Sequence, residues 1–219
     1  MLYEQKGIYD GSNIYLDGAT VQNVEIAGRD YETVKIGSLE WMNEDLDYKF
    51  YSLTVGNSGT SYSDPMANYY NNSESTYGVN GNRYGLLYNY AAVKYLEDNK
   101  DTLIKGWRVP TKADVQDLLN AVCSSSQSGT IYYGSGTALK STSGWVSGNG
   151  DGSTEFNAKP VGRKGGSNFF YVGSDGYFWT LTEVDSTRSY NYRFSTGPDA
   201  SINPTDKADG NALRLVRDI

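Results

Sequence analysis

Residues 110–122, Pro-Thr-Lys-Ala-Asp-Val-Gln-Asp-Leu-Leu-Asn-Ala-Val, carry the clearest helical signature in this chain of 219 residues. Pro110 stands just before Thr111, whose hydroxyl suits an N-cap, and Asp114 follows with a negative charge for the helix N-terminus. Val115, Leu118, Leu119 and Val122 then recur as one apolar stripe, which calls for one core. Upstream, 86–100 (LLYNYAAVKYLEDNK) spaces Leu86, Tyr90, Val93 and Leu96 near a 3.6 period, predicting a second helix. Downstream of Ser124, turn clusters such as SGNGDGS, GRKGG, VGSDG and STGPD punctuate short runs and leave room for no helix longer than a turn. The first third alternates as strands do: Ile14 and Leu16, then Val21, Val24 and Ile26, then 31–36, broken by DGSN, DGA and AGRD. Strands, two helices, then many strands predict an α+β protein with the helices segregated from antiparallel sheets.

Composition removes whole classes of chemistry. There is no His and one Cys, so a His general base, a Ser-His or Cys-His pair and a His/Cys zinc site are all excluded. No P-loop, G-x-S-x-G or helix-opening G-x-G-x-x-G occurs. Carboxylates are scattered over loops, so an enzyme is not expected, nor a cofactor or metal. Nineteen Lys and Arg against 26 Asp and Glu leave a net charge of −7, which argues against nucleic acid as partner. The excess lies in 20 Tyr and 25 Gly, beside much Ser and Asn, a composition suited to contact surfaces.

Local features are read as structural. The run 147–155 (SGNGDGSTE) misses the spacing of a calcium loop and is expected to be a Gly-rich hairpin turn. Cys123, at the end of the 110–122 helix, is expected as a small buried apolar residue. Residues 52–83, nearly all Ser, Asn, Gly, Thr and Tyr, are expected to form a solvated insertion, with Tyr62, Tyr69, Tyr70 and Tyr77 as contact candidates. The opening residues lack the basic and apolar regions of a secretory signal, and no run of about 18 apolar residues predicts a membrane span.

Several stretches are more specific than composition. Lys35-Ile-Gly-Ser-Leu-Glu-Trp-Met-Asn-Glu-Asp-Leu46 resembles the KIG-x-x-x-WM-x-E-x-L opening of the Fibrobacter succinogenes major paralogous domain. Tyr84–Ala92 is similar to its YG-x-LY-x-x-AA, and Gly106–Thr111 to its GW-x-[LV]-P-[TS]. Leu139–Trp145, Phe156–Pro160, Phe178–Glu183 and Leu213–Arg217 continue in the family's order. The family's usual cysteines are absent: Leu215 stands at one such position.

The resemblance implies a C-type lectin-like fold, with two helices, antiparallel sheets and a loop-rich strand half. It implies a lectin-like domain over 29–219 after an N-terminal strand or hairpin extension, 1–28. A subset of the family serves as variable proteins of diversity-generating retroelements, and a variable region at 178–211 would follow. The fold also resembles that of formylglycine-generating enzymes, but those use a pair of active cysteines. The implied function is binding of a protein or glycan receptor at a virion or cell surface by a diversified face; the alternative is a non-variable surface adhesin or structural module of the same family.

The C-terminal strands can be divided by period. Tyr190, Tyr192 and Phe194 form one face and are expected inside; Asn191, Arg193 and Ser195 are expected outside. Ala200 and Ile202 continue inward, with Asp199, Ser201 and Asn203 outward. Trp179 and Leu181 are assigned to the core, which puts Phe178 and Thr180 at the rim. With Asp185, Thr205, Asp206, Asp209 and Asn211, the outward residues and the rim pair make up the candidate ligand-binding set.

Overall fold

The computed structural model describes residues 22–26, 28–56, 59–73, 84–125 and 127–219. The expected strand at 14–16, most of the 1–28 extension and Tyr77 lie outside the described residues. The chain is α+β. Strands β1 (Gln22–Ile26), β2 (Arg29–Ile36) and β3 (Leu39–Met42) form an antiparallel meander. The short strands β4 (Thr54–Val55), β5 (Met66–Asn68) and β6 (Leu87–Tyr88) make a second sheet. Helices α1 (Tyr90–Asp98), α2 (Lys100–Leu103) and α3 (Lys112–Ala121) follow. Next come β7 (Ile131–Tyr132), the short α4 (Ser135–Leu139), β8 (Val161–Gly165) and β9 (Asn168–Val172). The chain ends with β10 (Gly176–Glu183), β11 (Arg188–Phe194), β12 (Ala200–Asp206) and β13 (Val216–Asp218).

The main sheet has the order β7-β12-β11-β10-β8-β9, and β13 returns to pair with β3, so the two ends of the domain close one sheet. Among the described strands two pairings are parallel, β8 with β10 and β4 with β5, so these sheets are mixed rather than purely antiparallel.

Helix α3 forms as its sequence predicts: Thr111 Oγ1 accepts from the Asp114 N–H at 3.2 Å, and Asp114 Oδ2 accepts from the Thr111 N–H at 2.6 Å, a reciprocal capping box. Arg108 also donates to Asp114 at 2.6 Å, and these bonds hold the Asp114 carboxyl below its ordinary range against the opposing effect of burial. Helix α1 starts at Tyr90, later than the period suggested. Asn89 caps it by accepting from the Ala92 N–H, and Leu87–Tyr88 are drawn into β6 instead.

The main sheet lies between the helices. One face of β10–β12 buries Phe178, Tyr192, Phe194 and Ile202 against Val115, Leu118 and Leu119 of α3. The other face of β10 buries Trp179 against α1: its ring meets Tyr90 at 5.6 Å between centroids, and Tyr90 Oη donates to the Leu181 carbonyl at 2.6 Å. Strand β10 is therefore covered on both sides, which moves Phe178 and Thr180 from the expected rim into the core. Both have 0% exposure, and Thr180 Oγ1 donates to the Tyr190 carbonyl at 2.9 Å.

Two buried cations tie the irregular segments to this frame. Arg214 (0% exposed) pairs through Nε with Asp45 Oδ1 at 2.7 Å and donates to the Phe156 and Asn157 carbonyls. Lys140 donates from Nζ to the carbonyls of Gly148, Ser195 (2.9 Å) and Gly197 (2.7 Å), and lies 5.0 Å from the centre of the Trp145 ring. The run 147–155 is thus an irregular loop wrapped on a lysine, not a hairpin between strands. Gly148 has φ +64°, and a Cβ there would meet the Thr196 carbonyl.

The 52–83 segment is less detached than its composition suggests. It contributes β4 and β5, buries Tyr69, and accepts a bond from Lys164 Nζ at the Gly59 carbonyl (2.7 Å). Cys123 is half-buried, its Sγ donating to the Ser125 carbonyl at 2.6 Å, so it is not the closed apolar residue expected.

Candidate functional site

The strand register builds the site row by row. Tyr177 of β10 stands opposite Arg193 of β11, which stands opposite Ser201 of β12, which stands opposite Ile131 of β7. In the adjoining row Trp179, Asn191 and Asn203 face one another across the same strands. Directly opposed residues share a face. That face is therefore covered by α1 at the Trp179 end and open at the Tyr177 end.

The open end forms a concavity of about 480 Å³. Asn191, Arg193, Ser201, Asn203 and Thr205 line it, so these members of the expected outward set do come together. Arg163 and Tyr171 of the β8–β9 hairpin, Tyr177 of β10, Pro204 of β12, Ile131 of β7 and Thr130 before it complete the wall. No signal in the C-terminal tail marks the hairpin residues, because the parallel contact between β8 and β10 is what carries them there. Tyr177 was legible in principle: it has the parity of Trp179, and the assignment of Trp179 and Leu181 to the core passed over it.

Two guanidinium groups dominate the electrostatics. Arg193 donates from Nε and Nη2 to the same oxygen, Asp175 Oδ1, at 3.0 and 2.7 Å. Arg163 donates from Nη1 to Asp209 Oδ2 at 2.5 Å. Both also lie near the Tyr177 ring, at 5.5 and 5.7 Å from its centre, where cation–π attraction adds to the ion pairs. Burial raises the Tyr177 hydroxyl above its ordinary pKa, and burial likewise raises the Asp209 carboxyl against the lowering pull of Arg163.

Asn191 is the unusual member. It is 3% exposed, yet its Oδ1 has no hydrogen-bond partner. An unpaired buried polar atom costs roughly 1–3 kcal/mol.

The remaining candidates lie elsewhere. Asn211 has 0% exposure and neither side-chain amide atom has a partner; its backbone pairs with Tyr88, which turns the side chain into the interior rather than outward. Asp199 accepts from the Gly134 N–H at 2.9 Å and fixes that turn. Ser195 gives its carbonyl to Lys140. Asp206 accepts from Tyr62 Oη at 2.9 Å, and Asp209 stands behind Arg163 rather than on the cavity wall. Asp185 accepts from Arg188 Nε at 2.8 Å in the β10–β11 turn. Among the described residues, no group of three or more Cys, Asp or Glu is placed to hold a metal ion, and no helix is long and apolar enough to cross a membrane.

No curated protein and no solved structure matches the chain. The family model described as the Fibrobacter succinogenes major domain matches residues 34–217, from β2 through β13 and including every wall of the concavity, so the chain belongs to that family.

Proposed function

We propose that this protein is a ligand-binding module on a C-type lectin-like scaffold, and that the concave face of β10, β11 and β12 is its binding surface. One observation carries the reading. Asn191 and Arg193 of β11 and Ser201, Asn203 and Thr205 of β12 line one concavity, while Tyr192, Phe194 and Ile202 between them are sealed in the core, so the first set can change without disturbing the second. That separation is what the variable protein of a diversity-generating retroelement needs, with display on a virion or cell surface to a protein or glycan receptor. Enzyme activity, nucleic-acid binding and a cofactor form no part of the proposal.

Sequencing the DNA beyond the 3′ end of the gene tests it. The expected result is an imperfect repeat of the segment encoding 178–211, differing at template adenines, with a reverse transcriptase gene nearby. Differences should fall on codons 191, 193, 201, 203 and 205 and spare 178, 192, 194 and 202. Absence of the repeat and the reverse transcriptase overturns diversification and leaves a fixed adhesin. The two ion pairs favour that second reading, since Asp175 and Arg163 anchor the site from outside the tail.

A further inference from the structure

We infer that the concavity takes an acidic saccharide, a sugar whose ring carries a carboxylate, with the carboxylate between Arg163 and Arg193 and the ring against Tyr171 and Tyr177. The inference rests on the reading of this face as a binding surface and adds the chemistry of its ligand.

The lining is one-sided in charge. The protein has a net charge of −7, yet this cavity is lined by two Arg and by no Asp or Glu. Asp175 and Asp209 hold the guanidinium groups from outside the wall, and they leave N–H groups unused. Arg193 spends two donors on one carboxylate oxygen, so Nη1 is uncommitted; Arg163 commits only Nη1, so Nε and Nη2 are uncommitted. Planar guanidinium donors of this kind match a carboxylate with charge-assisted bonds.

The rest of the wall suits hydroxyl groups. Asn191 is nearly buried, its Oδ1 has no hydrogen-bond partner, and the residue lines the cavity. Its amide is held there at a cost in stability, in a wall otherwise rich in hydroxyl and amide groups. Ser201 and Asn203 satisfy each other at 2.9 Å and present further hydroxyl and amide groups. Tyr171 is 49% exposed, and its ring lies 6.1 Å from that of Tyr177, an aromatic wall suited to the C–H face of a sugar. The volume of about 480 Å³ falls within the usual range for small-ligand sites, roughly 300–1,000 Å³.

A peptide is the less suitable occupant. The floor is made by strands in the middle of the sheet, whose backbone groups are spent on the ladder, so strand addition is closed to it.

Isothermal titration calorimetry at low salt tests the inference with two pairs of probes: trigalacturonate against its methyl ester, and sialyllactose against lactose. A glutamate-rich hexapeptide is the fifth probe. The expected result is that at least one acidic sugar binds ten or more times more tightly than its neutral partner. Arg193→Gln and Arg163→Gln should each weaken that binding about tenfold or more, measured where circular dichroism shows each variant folded, since Asp175 and Asp209 lose their ion-pair partners and the urea midpoint falls. The inference is overturned if the neutral sugar binds as well, if both variants bind the acid normally, if the hexapeptide is preferred, or if no sugar binds. The binding surface itself is tested separately. A receptor found by array screening and blocked by Ser201→Trp keeps the surface even where the acid preference fails, whereas indifference to Ser201→Trp removes the surface.

Discussion

The two faces of strands β10, β11 and β12 share one backbone and are held in different ways. On one face Phe178 stacks on Tyr192 with ring centres 5.1 Å apart, and Phe194 meets both edge-on at 5.9 Å. Position there is set by packing from every side. On the other face Arg193 is placed by two bonds to one carboxylate and by the Tyr177 ring, and Ser201 and Asn203 mainly by each other. A sheet with this asymmetry lets one side carry the fold while its opposite stays open to chemical change. The largest effect should therefore come from the packed side. Phe194→Ala should cost about 3–5 kcal/mol in urea denaturation, because a ring among rings leaves a cavity. Ser201→Ala, on the opposite face of the neighbouring strand, should stay within about 0.5 kcal/mol. Similar costs for the two would erase the distinction.

The open face also depends on what lies beneath its edge. Lys140 is buried, and its ammonium gathers carbonyls from the 147–150 loop and from the turn after β11. Burial pushes its pKa below the ordinary lysine value, but three acceptors surround it. Lys140→Met keeps the stem and strands the carbonyls, so a loss of about 2–3 kcal/mol is expected from the urea midpoint. A loss under 1 kcal/mol would mean that water replaces the ammonium and that the loop is held by other contacts.

How much of this was legible follows from what each signal measures. The capping of α3 needs only Thr111 and Asp114 three residues apart, so it was plain in the sequence. The split of β11 was plain too, because period two separates Tyr192 and Phe194 from Asn191 and Arg193. The covering of a strand is a different matter. Phe178 and Trp179 are neighbours that point opposite ways, and both are buried because α1 and α3 approach β10 from opposite sides. Alternation reports that two faces exist and is silent on whether a second helix covers one of them. Arg163 and Tyr171 were hidden for a related reason: they arrive through a parallel pairing between segments with no local mark of it.

Asn191 stands at the border between the covered and open ends of its face, and its variant sharpens the comparison. A residue retained for the fold should weaken it when replaced. A residue retained for a ligand need not. Its Oδ1 lacks a partner, so Asn191→Leu, close in volume and apolar, should leave stability unchanged or raise it by up to about 1 kcal/mol. A loss beyond 1 kcal/mol would assign Asn191 to the scaffold.

The smallest effect is expected at the β10–β11 turn, beyond the concavity. Asp185 accepts from Arg188 Nε and from the N–H groups of Thr187 and Arg188, and these bonds, with Arg188 foremost, lower its pKa to about 2. A carboxyl whose folded pKa lies below its unfolded one adds stability above the unfolded value, and that contribution is lost as pH falls toward the folded one. For Asp185 the window runs from the ordinary 3.8 down to about 2. The side chain is exposed, so the global stability change should be slight and the local titration is the better measure. NMR of the Asp185 carboxyl carbon should give a midpoint near 2, and Arg188→Ala should move it most of the way back toward 3.8. A wild-type midpoint already at the ordinary value would show that the turn opens freely in solution. The covered end of the sheet would then stop short of Ser189, and the difference between its two ends would be smaller than the static geometry implies.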